Sequence, residues 1–149
     1  PLRCEDLIAW QAEVSDRPGI VWEVKCEDDP AAVDAVVTAV TQRLTDISDH
    51  RCILSSFSRD VLSALKPQLP SIPMALIAEA LPEDGVPFCQ ERGLEGMHLE
   101  GHQVSHESSR IVLDAGLALR CYTVNDMREA QRLAALGVSM IMTDFPERF

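Results

Sequence analysis

The chain has 149 residues, 46% of them hydrophobic, with 24 acidic against 13 basic side chains and a formal net charge of −11. The length carries one domain with a real core, and the acidic balance argues against non-specific binding to nucleic acid or an anionic membrane, which need a basic face. No apolar run approaches the roughly 20 residues that span a bilayer, and the opening Pro1 to Asp6 lacks the pattern of a signal peptide.

In chain order, residues 2–14 read as a helix and 20–25 as a strand. Pro30 follows Asp28 and Asp29 at a first helical position, and 31–44 place Val33, Val36, Val37, Val40 and Leu44 on one stripe. A strand at 52–57 leads to Ser58, which can cap a helix carrying Val61, Leu62 and Leu65 that Pro67 stops. Strands follow at 73–78 and 96–99. Ser105 begins a helix with Ile111, Val112 and Leu113, closed by Gly116. The next strand is 117–124. Asn125 or Asp126 then caps a helix to Leu136, Gly137 ends it, and 138–142 is the sixth strand.

This alternation predicts an α/β fold with parallel strands and right-handed crossovers. An open doubly wound sheet and a (β/α)8 TIM barrel both fit. The barrel typically takes about 250 residues, so the chain has room for about six of its eight units.

Five cysteines, Cys4, Cys26, Cys52, Cys89 and Cys121, are scattered and form no C-x-x-C pair, which excludes a zinc ribbon and a thioredoxin motif. Each lies in or beside an apolar run, as expected of buried reduced thiols in a reducing compartment.

Chemistry in parallel α/β folds sits at the C-terminal ends of strands. Glu23 and Lys25 share one side of the first strand. A carboxylate and an ammonium there suit a divalent-metal ligand and a phosphate partner, or else a structural ion pair or a wet edge strand. Ser55 and Ser56 end the second strand without a G-x-S-x-G elbow, so they read as pocket or capping residues rather than nucleophiles. Tyr122 and Asn125 can wall a polar pocket, although Asn125-Asp126 also suits a plain turn. His98, His102 and His106 recur every four residues, but Gly96 and Gly101 interrupt them, which disfavours a helical metal site. His98 can still face a pocket from its strand, and His50 reads as surface.

Together these segments resemble the glycerophosphodiester phosphodiesterase family, in its bacterial cytoplasmic type. Trp22-Glu23-Val24-Lys25 is similar to the family's I-E-I-K strand, Ser55-Ser56-Phe57 to its S-S-F, and Met97-His98-Leu99 to its I-H-L. The closing pattern is the most specific: Ala115-Gly116-Leu117, Tyr122-Thr123-Val124-Asn125, Gly137-Val138-Ser139 and Ile141 to Pro146 follow the family's A-G-L, Y-T-V-N, G-V-D and I-x-T-D. Ser139 departs from the usual Asp.

The resemblance implies a TIM barrel of which this chain supplies strands three to eight, as one domain lacking the N-terminal units. Pro1 is then expected not to be the natural start. It implies metal-dependent hydrolysis of glycerophosphodiesters to glycerol 3-phosphate and an alcohol, in lipid and glycerol metabolism, by the complete enzyme. Glu23 would be a ligand of Mg2+ or Ca2+, and Lys25, His98 and Tyr122 would contact substrate. The acid and base histidines would lie upstream, in H-R-G and H-D motifs, so no catalytic residue is expected in this chain. The alternatives are an inactive fragment serving as a structural or binding module, and another phosphate-handling TIM barrel. The expected partner is a small-molecule glycerophosphodiester, with no nucleic acid and no transmembrane segment. A homodimer could cover the open edges, and the expected location is cytoplasmic.

Overall fold

The computed structural model describes residues 3–14, 16, 18–26, 29–44 and 51–149. Leu2, Asp28 and His50 lie outside the described residues. In chain order the elements are α1 (Cys4–Glu13), β1 (Ile20–Glu23), α2 (Pro30–Leu44), β2 (Cys52–Ser56), α3 (Arg59–Leu65), β3 (Met74–Ala78), α4 (Gly85–Arg92), β4 (Gly96–Glu100), α5 (His106–Asp114), β5 (Ala118–Tyr122), α6 (Met127–Ala135) and β6 (Met140–Ile141).

All six strands pair in parallel, in the order β1-β2-β3-β4-β5-β6. That order decides between the two architectures. A doubly wound sheet reverses its strand order at a switch point, whereas a barrel adds each strand beside the last. The molecule is therefore an α/β partial barrel. Met140 of β6 shares a cavity of about 410 Å3 with Val21 and Ile53, so the sheet curls until its last strand comes near its first two.

One face of the sheet is sealed. Leu54, Met74, Leu76, Met97, Leu99, Leu119 and Cys121 form one core cluster with Val33 and Val37 of α2, Val61, Leu62 and Leu65 of α3, Val112 of α5 and Leu133 of α6. Side-chain alternation sends Ser55, Ala75, Ile77, His98 and Arg120 to the opposite, concave face. Register aligns Glu23, Ser55, Ala75, Gly96 and Ala118 in one row across that face.

Three helix starts follow from short polar side chains. Ser58 Oγ accepts from Val61 N at 3.3 Å, Ser105 Oγ from Ser108 N at 3.0 Å, and Asp126 Oδ1 from Arg128 N and Glu129 N at 2.9 and 3.0 Å. Each satisfies a backbone donor that the first helical turn leaves open. Ser58→Ala is expected to lower stability by about 1 kcal/mol, a fall in Tm of a few degrees by calorimetry; an unchanged Tm would show the cap to be idle.

Of the two residues expected to cap α6, Asp126 does so. Other expectations need correction. Ile111 is 46% exposed and stays out of the core, whereas Val112 is buried and Leu113 packs against the core. The sequence pattern gave no helix at Gly85–Arg92, where Gly85 and Pro87 disguise one. Pro87 sits in the first turn, where its missing N–H costs nothing, and Gly93 closes the helix at φ 64°. The Ser55 and Ser56 hydroxyls donate to the carbonyls of Trp22 at 3.3 Å and Val24 at 2.7 Å, tying β2 to β1, and Ser56 Oγ also accepts from Ser58 N at 3.1 Å at the entry to α3.

Candidate active site

β1 forms one edge of the sheet, and its C-terminal end is wet. Glu23 Oε1 and Lys25 Nζ lie 3.7 Å apart, with side chains 39% and 81% exposed. The pair is thus exposed on a wet edge strand, one of the alternatives the sequence left open. Such a pair is worth no more than about 1 kcal/mol, so either member can exchange its partner for a ligand at small cost. An apolar cavity of about 380 Å3, lined by Trp22, Val40, Leu44 and Leu54, opens beside the pair.

Tyr122 ends β5. Its hydroxyl donates to the Ala78 carbonyl at 3.1 Å, which fixes the ring, and the ring meets Phe57 edge-to-face at 6.2 Å. Burial raises the phenol pKa above its ordinary value, and the carboxylates of Glu100, Glu79 and Glu23 raise it further. The ends of β1, β3, β4 and β5 therefore converge electrostatically on one mouth. Register agrees: Glu100 pairs with Tyr122, and Glu100 N donates to Glu79 O at 3.0 Å.

His98 lies one row beneath this mouth on β4 and is buried, with Nε2 lacking a hydrogen-bond partner among the described residues. Burial first, then the Arg120 guanidinium on β5, push its pKa down to about 4, against a smaller opposing effect of Glu95. The ring is thus neutral at pH 7. Arg120 is itself buried and reaches Glu95 Oε1 at 2.7 Å through Nη2.

Glu23, Lys25 and Tyr122 thus lie at or just beyond C-terminal strand ends, with Glu23 near enough to raise the Tyr122 pKa, while His98 is buried within β4, two residues before Glu100. The regularly spaced histidines do not converge. His102 is exposed and 3.8 Å from Glu129, and His106 starts α5. Among the described residues no three His, Cys, Asp or Glu side chains are placed to hold a metal ion. Asn125 does not sit in a plain turn. It donates to Asp144 Oδ2 and accepts from Thr143 Oγ1 and Asp144 N, each at 3.0 Å, locking the loop after β5 to the loop after β6. Cys52, Cys89 and Cys121 are buried, and burial pushes the thiols of Cys89 and Cys121 up to about 11 and 12, which leaves them unreactive.

Sequence reasoning missed Glu79, Glu100 and the Arg120–Glu95 pair. The signal was present: each of the two glutamates directly follows an apolar strand, and Arg120 interrupts one.

The sequence model of the Glycerophosphoryl diester phosphodiesterase family matches residues 3–148. Among solved structures, a phosphodiesterase of Oleispira antarctica in complex with the product sn-glycerol-3-phosphate is 20% identical with a TM-score of 0.80, over 87% of this chain and 53% of that one. A glycerophosphodiester phosphodiesterase of Parabacteroides distasonis ATCC 8503 is 20% identical with a TM-score of 0.81, over 97% and 60%. A candidate glycerophosphoryl diester phosphodiesterase of Silicibacter pomeroyi DSS-3 is 24% identical with a TM-score of 0.84, over 98% and 54%. At these identities the likeness is one of fold. The chain spans between 53% and 60% of those three proteins. No curated protein matches it.

Proposed function

The chain belongs to the glycerophosphoryl diester phosphodiesterase family, and from that premise we propose that it forms the six C-terminal β/α units of a barrel enzyme that hydrolyses glycerophosphodiesters to glycerol 3-phosphate and an alcohol. One observation carries the assignment of the site: Glu23 and Lys25 stand 3.7 Å apart and solvent-accessible at the C-terminal end of β1, where a barrel places its chemistry.

A divalent cation fits this mouth by donor type. Glu23 offers the hard carboxylate oxygen that Mg2+ or Ca2+ takes. It offers one ligand, and the described residues complete no set of three, so tight binding needs ligands from outside them. When bound, such an ion polarises phosphoryl oxygens. Lys25 holds a non-bridging phosphate oxygen by charge, as a flexible, strongly hydrated ammonium does well. Tyr122, pinned through its hydroxyl to Ala78, forms a fixed wall of the substrate pocket. His98, neutral and buried, floors it. Proton transfer falls to histidines outside this chain.

The thin metal ligation favours a second reading, in which these residues on their own form a catalytically inactive module. The unpaired outer edges of β1 and β6 could then be covered by a second copy, since exposed strand edges invite pairing. None of the helices among the described residues is long and apolar enough to cross a membrane. Buried, unreactive thiols at Cys52, Cys89 and Cys121 suit a cytoplasmic location.

The test is release of sn-glycerol 3-phosphate from simple glycerophosphodiesters by the complete protein in Mg2+. Glu23→Gln removes a direct ligand, so activity and Mg2+ affinity are expected to fall at least as far as the roughly 10- to 100-fold that follows loss of an outer-shell partner. Full activity and metal affinity in that variant would remove Glu23 from the site.

A further inference from the structure

His98 and Arg120 are Cα partners in the β4–β5 ladder and share its concave face. Both are buried, at 1% and 6% exposure. Among the described residues, His98 Nε2 and Arg120 Nη1 are the two buried side-chain nitrogen or oxygen atoms without a hydrogen-bond partner. Folded chains seldom leave such atoms unpaired, because each gives up its water and receives nothing in return. An imidazole nitrogen can accept from a guanidinium, yet these two do not bond to each other. The pair therefore calls for a third group that serves both.

The same face offers room. The row before them consists of Ala75, Gly96 and Ala118, none with a side chain larger than a methyl group. Arg120 already runs back across that row, since its Nη2 meets Glu95 Oε1, just before Gly96, at 2.7 Å. Charge and hydrogen-bond capacity narrow the occupant. An anion is disfavoured: Glu95 already balances Arg120, the carboxylates of Glu100, Glu79 and Glu23 act on Tyr122 at the mouth, and the whole chain carries −11. A cation is disfavoured by the guanidinium itself. A carbonyl oxygen only accepts, so it serves His98 in one tautomer alone. A hydroxyl oxygen, of water or of an alcohol, accepts from Arg120 and pairs with His98 in either tautomer.

We propose that His98 Nε2 and Arg120 Nη1 hold one hydroxyl oxygen inside the barrel, that of a resident water or of a polyol ligand. Two residues of strand, about 6.6 Å, separate this row from Glu100 and Tyr122 at the mouth. A three-carbon polyol anchored at the mouth by its phosphate bridges a gap of that order. The polyol source rests on the phosphodiester reading. The water source does not, since a buried water needs only polar partners and space.

The test is NMR of the folded chain with labelled histidine. The His98 ring is the one still neutral at about pH 5.5, and its signal is lost in His98→Gln. Cross-relaxation between its carbon-bound protons and water, with the sign of a long-lived contact, reports a resident water. sn-Glycerol 3-phosphate and methyl phosphate, each in Mg2+, are then titrated; both bring a phosphate, and only the first brings free hydroxyls on carbon. If the oxygen is a polyol's, sn-glycerol 3-phosphate shifts the His98 ring saturably, methyl phosphate does not, and Arg120→Met weakens the first about 5-fold. If it is a water's, the cross-relaxation is present in the native chain, survives both titrants and is lost in Arg120→Met. Either result supports the site. Glu95 is 40% exposed and tolerates loss of its partner, and the measurements on the native chain need no variant. A His98 ring with neither a water contact nor a response to sn-glycerol 3-phosphate overturns the site, as does either signal persisting unchanged in Arg120→Met. Methyl phosphate binding, read at Lys25, reports on the phosphodiester reading alone, so failure of one is told apart from failure of the other.

Discussion

Gly96→Ala is expected to destabilise the chain by about 3 kcal/mol or more, lowering Tm by about 10 °C. A Cβ at this position would meet the Ala118 carbonyl oxygen at 2.3 Å and the Ala118 Cβ at 3.0 Å. The first contact is with backbone, so no side chain can turn aside to relieve it. Gly96 and Ala118 are Cα partners in the β4–β5 ladder, and the strands must separate to admit the methyl group. Ala118→Gly should therefore fail to rescue the variant, because it removes the milder contact and leaves the carbonyl in place. Calorimetry of the single and double variants checks this; a Gly96→Ala protein with native Tm would show that the ladder is looser than its register implies.

The second large effect is a loss of stability in mild acid. His98 is held at about 4, well below the 6.5 it would have in the unfolded chain. The folded state thus binds fewer protons than the unfolded state between those values. Stability from this residue is fully present above pH 6.5 and falls as pH drops toward 4. At about 1.4 kcal/mol per unit, the loss is about 2 kcal/mol by pH 5 and about 3 kcal/mol by pH 4. Arg120 strengthens the effect, since a second positive charge beside its guanidinium is unfavourable, and Glu95 moderates it. Urea unfolding between pH 5 and 7 measures the slope above the range where carboxylates titrate. His98→Gln, which cannot titrate, should flatten that slope. An equally steep profile in the variant would assign the acid sensitivity to other groups.

Much of the fold was legible in the amino-acid order because it is written in simple periodicities. Each of the six strands is a short apolar run, since a parallel sheet covered by helices hides its strands from water. Ser58, Ser105, Gly116 and Gly137 mark helix ends through caps and left-handed backbone, at φ 76° and 86° for the two glycines. The helix at Gly85–Arg92 was hidden because its signals conflict: Gly85 and Pro87 read as breakers unless the first turn is already known.

The site was legible in part. Glu23, Lys25 and Tyr122 stood out as polar or aromatic groups at strand ends, and their ordered motifs pointed to one family. Burial was not legible, because it depends on the neighbours of β1. Glu23 and Lys25 are wet at and just beyond the end of an edge strand, whereas His98 and Arg120, no more polar, are enclosed on central β4 and β5. Ser55 and Ser56, read as pocket or capping residues, tie β2 to β1 as well, since an apolar run cannot reveal which carbonyl a hydroxyl will find. Glu100 acquires its place only from the register that sets it beside Tyr122.

The central claim, that the end of β1 receives the phosphate of the substrate, is tested most directly by calorimetric titration of sn-glycerol 3-phosphate into the chain in Mg2+, for the native sequence and for Lys25→Gln. A charge-assisted bond of about 1.5–3 kcal/mol predicts at least about 10-fold weaker binding in the variant. Equal affinity in the two proteins would contradict the claim and place the phosphate elsewhere.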